Sequence, residues 1–327
     1  MNGNTKRNLL LALASIALAV VLVVEGARML PVMRALTPRI EADYFGLDGI
    51  TTQDLNLFWR LHPNQTLTDL TIPDVPGRKW SMTTNAQALR GQDIKEQKPG
   101  YRVLALGDST TFGIGVDDDE TWPALLQELL DPTGTTIDVI NAGGHGATSI
   151  QGLTYLLTRG LELQPNVLIV TYQFNDCAEA PFNDLTELVR LKNKEGASTQ
   201  LRDMVTKLDP TAANEPRRRK RLTEGEFLDA MIEIGALCRR RGISLVYLSW
   251  PTQPELNTGI PLSPYRALIK TAADITQYPM LDLLPVFQSA PEPPLLDIVH
   301  ANETGCQLVA QRLDAFLVEQ KILPGRN

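Results

Sequence analysis

From Arg102 onward, short apolar runs alternate with amphipathic stretches, and this alternation restricts the fold more than any other feature of the chain. Residues 102–106 form an apolar run that stops at Gly107, the pattern of a buried strand followed by a tight turn. Residues 121–130 read as a helix, with Thr121 placed to cap it and Pro123 in its first turn. Strands follow at 137–140 and 167–171, separated by a helix expected over 150–163. An amphipathic helix at 227–240, strands at 244–248 and 280–283, and a closing helix at 305–320 complete the series. Strands separated by helices pair in parallel, so the pattern predicts a doubly wound α/β domain with a five-stranded parallel sheet over residues 101–320.

Three segments stand apart from that pattern. Between about 180 and 222 the alternation lapses, which reads as an insertion with one helix over 187–208. It ends in a dense basic run, Pro216 followed by five cations to Arg221, expected to be a solvated loop or, more sharply, a contact for a polyanion such as lipid headgroups. Residues 31–100 carry short apolar stretches without a sustained period and read as a stem or N-terminal extension. The apolar run from Leu9 to Val24, behind Lys6 and Arg7, covers roughly 24 Å as a helix, short of the ~30 Å hydrocarbon core. Extension toward residue 30 completes the length. A cleaved secretory signal and an uncleaved anchor both fit; the poor small-x-small cleavage site favours a tail and transmembrane anchor over 1–30, with the remainder exported.

Composition narrows the function classes. At 43% hydrophobic and 21% charged residues, the chain is neither disordered nor a polytopic membrane protein. A net charge of −7 argues against a nucleic-acid partner. Three cysteines and three histidines are too few and too scattered for a disulfide framework or a zinc site, and no metal or cofactor is expected. The acidic stretch from Asp117 to Glu120 lacks calcium-loop spacing, and acidic residues ahead of a helix are more simply a favourable dipole contact. No G-x-S-x-G elbow, phosphate-binding loop or dinucleotide fingerprint is present.

In open α/β sheets, sites form beyond the carboxyl ends of the strands. Four blocks sit there: Gly107-Asp108-Ser109, residues 141–149, Gln173-Phe174-Asn175-Asp176, and Asp297 with His300. A serine hydroxyl needs a base, and His300 is the natural one among three histidines. Asp297, three residues earlier, can turn back to orient the ring. A tetrahedral intermediate also needs donors: the backbone N–H groups of Ser109 and Gly146 and the side-chain amide of Asn175 are candidates, with Gly143 and Gly144 competing for the place of Gly146. His145, in a glycine-rich loop, suits a surface or substrate-facing position better than the base, and His62, before Pro63, a structural one. Asp108 is expected to fix its own turn and Asp176 to anchor the third block, while nothing in the sequence makes Cys177 reactive.

This arrangement resembles the SGNH hydrolases, the GDSL esterase/lipase family, over about residues 100–318 with the blocks in family order. The resemblance implies a flavodoxin-like three-layer fold, Ser109 as nucleophile, Asp297 and His300 as its partners, and Ser109, Gly146 and Asn175 as the oxyanion hole. One departure is visible: the third block usually reads Gly-x-Asn-Asp, and here Gln173 replaces the glycine, which bears on whether Asn175 is correctly placed. The upstream segment, Trp59 to Asn64 and then Asn85 to Gly91, is similar to membrane-tethered bacterial members associated with cell-surface or exported polysaccharide. The implied activity is hydrolysis of acyl esters, chiefly acetyl esters of a carbohydrate or a small ester. The same residues would serve an O-acyltransferase, and a catalytically inactive tethered glycan-binding protein is the reading from another class.

Overall fold

The structure, a computed structural model, describes residues 47–180, 183–192 and 219–323, all within the unit Glu41–Asn327. Two antiparallel hairpins come first. β1 (Thr51–Asp54) pairs with β2 (Phe58–Leu61), and β3 (Thr66–Thr71) pairs with β4 (Lys79–Thr83). A two-stranded hairpin is marginal alone in water. These two are held by a core in which Leu47, Leu61, Ile72, Trp80 and Met82 pack with Phe112 and Ile114. The last two residues follow Ser109 directly, so the extension is built onto the candidate nucleophile turn.

The remaining elements are β5 (Tyr101–Gly107), α1 (Ser109–Phe112), α2 (Trp122–Leu130), β6 (Ile137–Gly143), α3 (Ser149–Thr158) and β7 (Val167–Thr171). The short pair β8 (Glu179–Ala180) and β9 (Arg219–Lys220) flanks α4 (Asp184–Lys192). Next come α5 (Glu224–Arg241), β10 (Ser244–Ser249), α6 (Gln253–Thr258), α7 (Pro264–Thr276), β11 (Met280–Asp282), α8 (Leu284–Gln288) and α9 (Glu303–Glu319). The five long-range strands form one parallel sheet in the order β11-β10-β7-β5-β6. Chain order reverses between β5 and β7, which makes the crevice beyond these two strands the topological switch point. Gly107 lies level with Gly143 on β6 and with Thr171 on β7, so the first three blocks leave the sheet side by side.

Strand periodicity sorts the core into two layers. Leu104, Leu106, Leu168, Val170, Leu245 and Tyr247 face α3, α5 and α7, while Val103, Ala105, Ile169, Val246 and Leu248 face α2 and α9. The helices have local reasons to start and stop. Thr121 accepts from Ala124 N–H ahead of α2, with proline in the first turn. Thr223 and Glu226 form a capping box on α5, which ends at Gly242 with φ +66°.

Several elements differ from the sequence expectations. The helix expected over 150–163 stops at Thr158, and Gly160–Leu163 continues as a 3-10 turn. Helices α6, α7 and α8 have no counterpart in the sequence expectations. In α7 the apolar face is interrupted by Arg266, which is buried and paired with Asp282 and, at 3.5 Å, with Glu255. Within the expected stem or N-terminal extension, residues 51–83 fold as two hairpins that share a core with the turn after Ser109. Residues 193–208 of the expected insertion helix lie outside the described residues, as do Pro216, Arg217 and Arg218 of the basic run. Arg221, at the end of that run, corrects the solvated-loop expectation: its side chain is 12% exposed and paired with Asp184 at 2.8 Å. The apolar run 9–24 also lies outside the described residues, among which no helix is long and apolar enough to cross a membrane.

Candidate active site

The turn after β5 is shaped by a close approach. A side chain at Gly107 would place its Cβ 2.1 Å from Thr111 Oγ1 and 2.8 Å from Thr171 O, so only glycine lets α1 fold back over the strand end. Asp108 caps α1 by accepting from Thr110 N (2.9 Å) and Thr110 Oγ1 (2.7 Å). It fixes the turn as expected. Ser109 is thereby the first residue of α1.

The loop between α8 and α9 brings the partners. Asp297 Oδ1 accepts from the N–H groups of Val299 (2.9 Å) and His300 (2.8 Å), closing a tight turn. Asp297 Oδ2 lies 2.7 Å from His300 Nδ1, and His300 Nε2 lies 2.9 Å from Ser109 Oγ. The carboxylate accepts from Nδ1–H, which leaves Nε2 as the acceptor facing the hydroxyl. Burial alone would raise the Asp297 carboxyl, but the hydrogen bond and charge of His300, with the two backbone donors, hold it below the usual carboxylate value. Ser109, His300 and Asp297 are thus brought together in one hydrogen-bonded line.

The block-two glycines separate by role. Gly143 N–H donates to Asn141 Oδ1 at 3.0 Å, and Gly144 N–H to Gly107 O at 2.9 Å. A Cβ on Gly143 would lie 2.2 Å from Phe112 N, so this glycine is needed for packing against α1. Gly146, with φ +64°, donates its N–H to no group among the described residues. Asn175 is buried, and its Nδ2 donates to Ala147 O at 3.1 Å, leaving a second amide proton and tying block three to block two.

Gln173 does not displace that arrangement. Its Nε2 donates to Trp250 O at 2.9 Å, at the end of neighbouring β10, so the side chain lies toward β10. Trp250 Nε1 in turn donates to Val299 O at 2.8 Å, which links the third block to the loop of Asp297 and His300. Asp176 anchors its loop as expected, accepting from Ser149 N (2.9 Å) and Ser149 Oγ (2.6 Å) at the start of α3. Its burial pushes the carboxyl up to about 7. His145 does not contact Ser109, whose partner is His300, and it is not the surface or substrate-facing histidine expected from its glycine-rich loop, because only 2% of it is exposed. It is buried between Trp59 and Phe112, and burial lowers its imidazole to about 4, so it is neutral at pH 7. Burial also raises the Cys177 thiol, which argues against a reactive thiolate.

Other residues that shape the site lie in segments that stand out in the sequence, but their roles do not. Arg90 is fully buried under the nucleophile turn and donates to the carbonyls of Phe112 (2.8 Å), Gly113 and Val116. Its guanidinium lies 5.2 Å from both the Trp80 and Phe112 ring centroids and pairs with Asp118 at 2.8 Å. The acidic stretch does more than face a helix end. Asp117 accepts from Ser81 N and Asp118 from Thr83 N and Oγ1, stitching the extension to the sheet domain. Arg221 donates to Gly146 O and to Gln151 Oε1 and pairs with Asp184. A buried cation from a basic run is invisible to composition; only the fold supplies its partners. Among the described residues, no group of three or more His, Cys, Asp or Glu side chains is placed to hold a metal ion.

Residues 105–308 match the GDSL-like lipase/acylhydrolase family. Esterase TesA of Pseudomonas aeruginosa is 32% identical over 83 residues, a match that spans 25% of this chain and 41% of that protein. Among solved structures, the acetyl xylan esterase AlAXEase aligns at 18% identity and TM-score 0.47, covering 66% of this chain and 99% of its own. The lipase/acylhydrolase from Enterococcus faecalis aligns at 17% identity and TM-score 0.45, covering 69% and 100%.

Proposed function

The chain belongs to the GDSL-like lipase/acylhydrolase family, and on that premise we propose that it is a serine esterase that cleaves acyl esters through an acyl-enzyme. The observation that carries the reading is the line from Asp297 through His300 to Ser109, with contacts of 2.7 and 2.9 Å. Ser109 Oγ attacks the ester carbonyl carbon while His300 Nε2 takes its proton. Asp297 keeps the other ring proton on Nδ1 and offsets the imidazolium charge. The carbonyl oxygen becomes an oxyanion facing the N–H groups of Ser109 and Gly146 and the Asn175 amide. Collapse breaks the bond to the alkoxide, which leaves with the proton from His300. Water, deprotonated by the same nitrogen, then releases the acid and restores Ser109.

The substrate class we propose is an acetyl ester of a cell-surface or exported carbohydrate. Support comes from the resemblance of the segments around Trp59 and Asn85 to tethered bacterial members. In the same reading, the run 9–24 anchors the chain and the catalytic unit is exported. The test is turnover of p-nitrophenyl acetate and of acetylated xylan by the full-length chain beside Ser109→Ala. Free acetate that depends on Ser109 supports hydrolysis. Acetyl found on an added glycan acceptor instead of in solution would replace hydrolase by transferase with the same residues.

A further inference from the structure

The N–H of Gly146 belongs to the peptide unit it forms with His145. The carbonyl of that same unit accepts a hydrogen bond from Trp59 Nε1 at 3.2 Å. A trans peptide is planar, so holding the carbonyl fixes the direction of the N–H at the opposite edge. A donor on the carbonyl also polarises the amide and strengthens its N–H as a donor. The next two carbonyls are held as well: Gly146 O by Arg221 and Ala147 O by Asn175. Three successive carbonyls of the block-two loop are therefore pinned by groups from three separate parts of the chain. This matters because Gly146 has no side chain of its own to hold it at φ +64°.

Trp59 is itself well located. Its ring centroid lies 6.1 Å from that of His145, and the Arg221 guanidinium sits 5.6 Å from it. Phe112, from α1, packs on His145 at 6.0 Å. Asn175 and Arg221 fall within residues 105–308, whereas Trp59 is on β2 of the extension, ahead of that region. We infer that Trp59 is a positioning residue: its indole N–H orients the 145–146 peptide so that Gly146 N–H meets the oxyanion. The extension thus completes the site, an assignment that rests on the serine esterase reading.

The test uses the full-length chain with Trp59→Phe, and a second variant carrying β-(3-benzothienyl)alanine at 59, which keeps the ring shape and replaces N–H by sulfur. Turnover of p-nitrophenyl acetate is measured with the rate and final stoichiometry of fluorophosphonate labelling. Both variants are expected to lose about tenfold in kcat with KM unchanged, less than the 10²–10³ typical of deleting an oxyanion donor outright. Labelling should slow in step yet still reach one adduct per chain. An unchanged kcat in the benzothienyl variant overturns the proposal. So does a labelling endpoint that falls with the rate, since that marks an unfolded fraction and a packing role alone. If Trp59→Phe does not fold, the benzothienyl variant decides. Wild-type chain that neither turns over nor labels would overturn the esterase reading itself, a result distinct from either of these.

Discussion

Ser109 has no special chemistry alone; its neighbours give it one, and each makes a separable contribution. Asn175→Ala is expected to lower kcat about 10²–10³-fold with little change in KM, because in the proposed mechanism the amide acts on charge that develops only in the transition state. Steady-state kinetics on p-nitrophenyl acetate checks this. Asp176 gives a pH prediction. Its carboxyl is near 7 in the folded chain against an ordinary 3.8, so between about pH 4 and 7 the native state holds a proton that the unfolded state has lost. Stability therefore falls as pH rises through this window, by up to ~4 kcal/mol, and levels off above it. Urea midpoints across the window should show that fall, and Asp176→Asn should flatten it. The four blocks were legible because hydroxyl, imidazole and carboxylate at strand ends have few other uses together. Trp59, Arg90 and Arg221 were not, because an indole or guanidinium gains its meaning from carbonyls that only the folded chain brings near.

The element that decides the site is α1, a single turn held at both ends. Asp108 caps its start, and Arg90 donates to the carbonyls at its finish. Arg90→Met should cost about 3–5 kcal/mol, since it removes a buried donor from the carbonyls of Phe112, Gly113 and Val116 and breaks the pair with Asp118, which keeps only its bonds from Thr83. Urea unfolding reads that loss. Gly143→Ala forces α1 away from β6, because the new Cβ would meet Phe112 N at 2.2 Å. Its labelling rate by a fluorophosphonate should drop by more than its melting temperature suggests, as the displaced turn carries Ser109. At this level the long apolar strands and the capped helices α2, α5 and α9 followed from periodicity and end signals. Helix α7 did not, because buried Arg266 breaks its apolar face and is tolerated only through Asp282 and Glu255. The 3-10 turn after α3 begins at Gly160, where a Cβ would lie 3.2 Å from Leu156, a tight fit that no sequence period reveals.

The described part of the unit Glu41–Asn327 is a doubly wound sheet with an extension that reaches the turn bearing Ser109. Trp80, Met82 and Ile72 share one core with Phe112 and Ile114. Asp117, Asp118 and Arg90 cross the same boundary with hydrogen bonds. The hairpins and the sheet should consequently unfold as one cooperative unit. Native-state hydrogen exchange is the check: amides of β4 and β5 are expected to share one opening free energy, and early exchange of β4 alone would contradict it. The sheet was legible from the alternation of residues 101–320, but the extension was not, since its short strands are stabilised by residues more than thirty positions away. The proposed chemistry turns on one atom, Ser109 Oγ. Intact mass of the full-length chain after exposure to a fluorophosphonate, followed by peptide mapping, addresses it. The expected result is a single adduct on the peptide containing Ser109, absent from folded Ser109→Ala. A folded wild-type chain with no adduct, or an adduct that persists in Ser109→Ala, would contradict it.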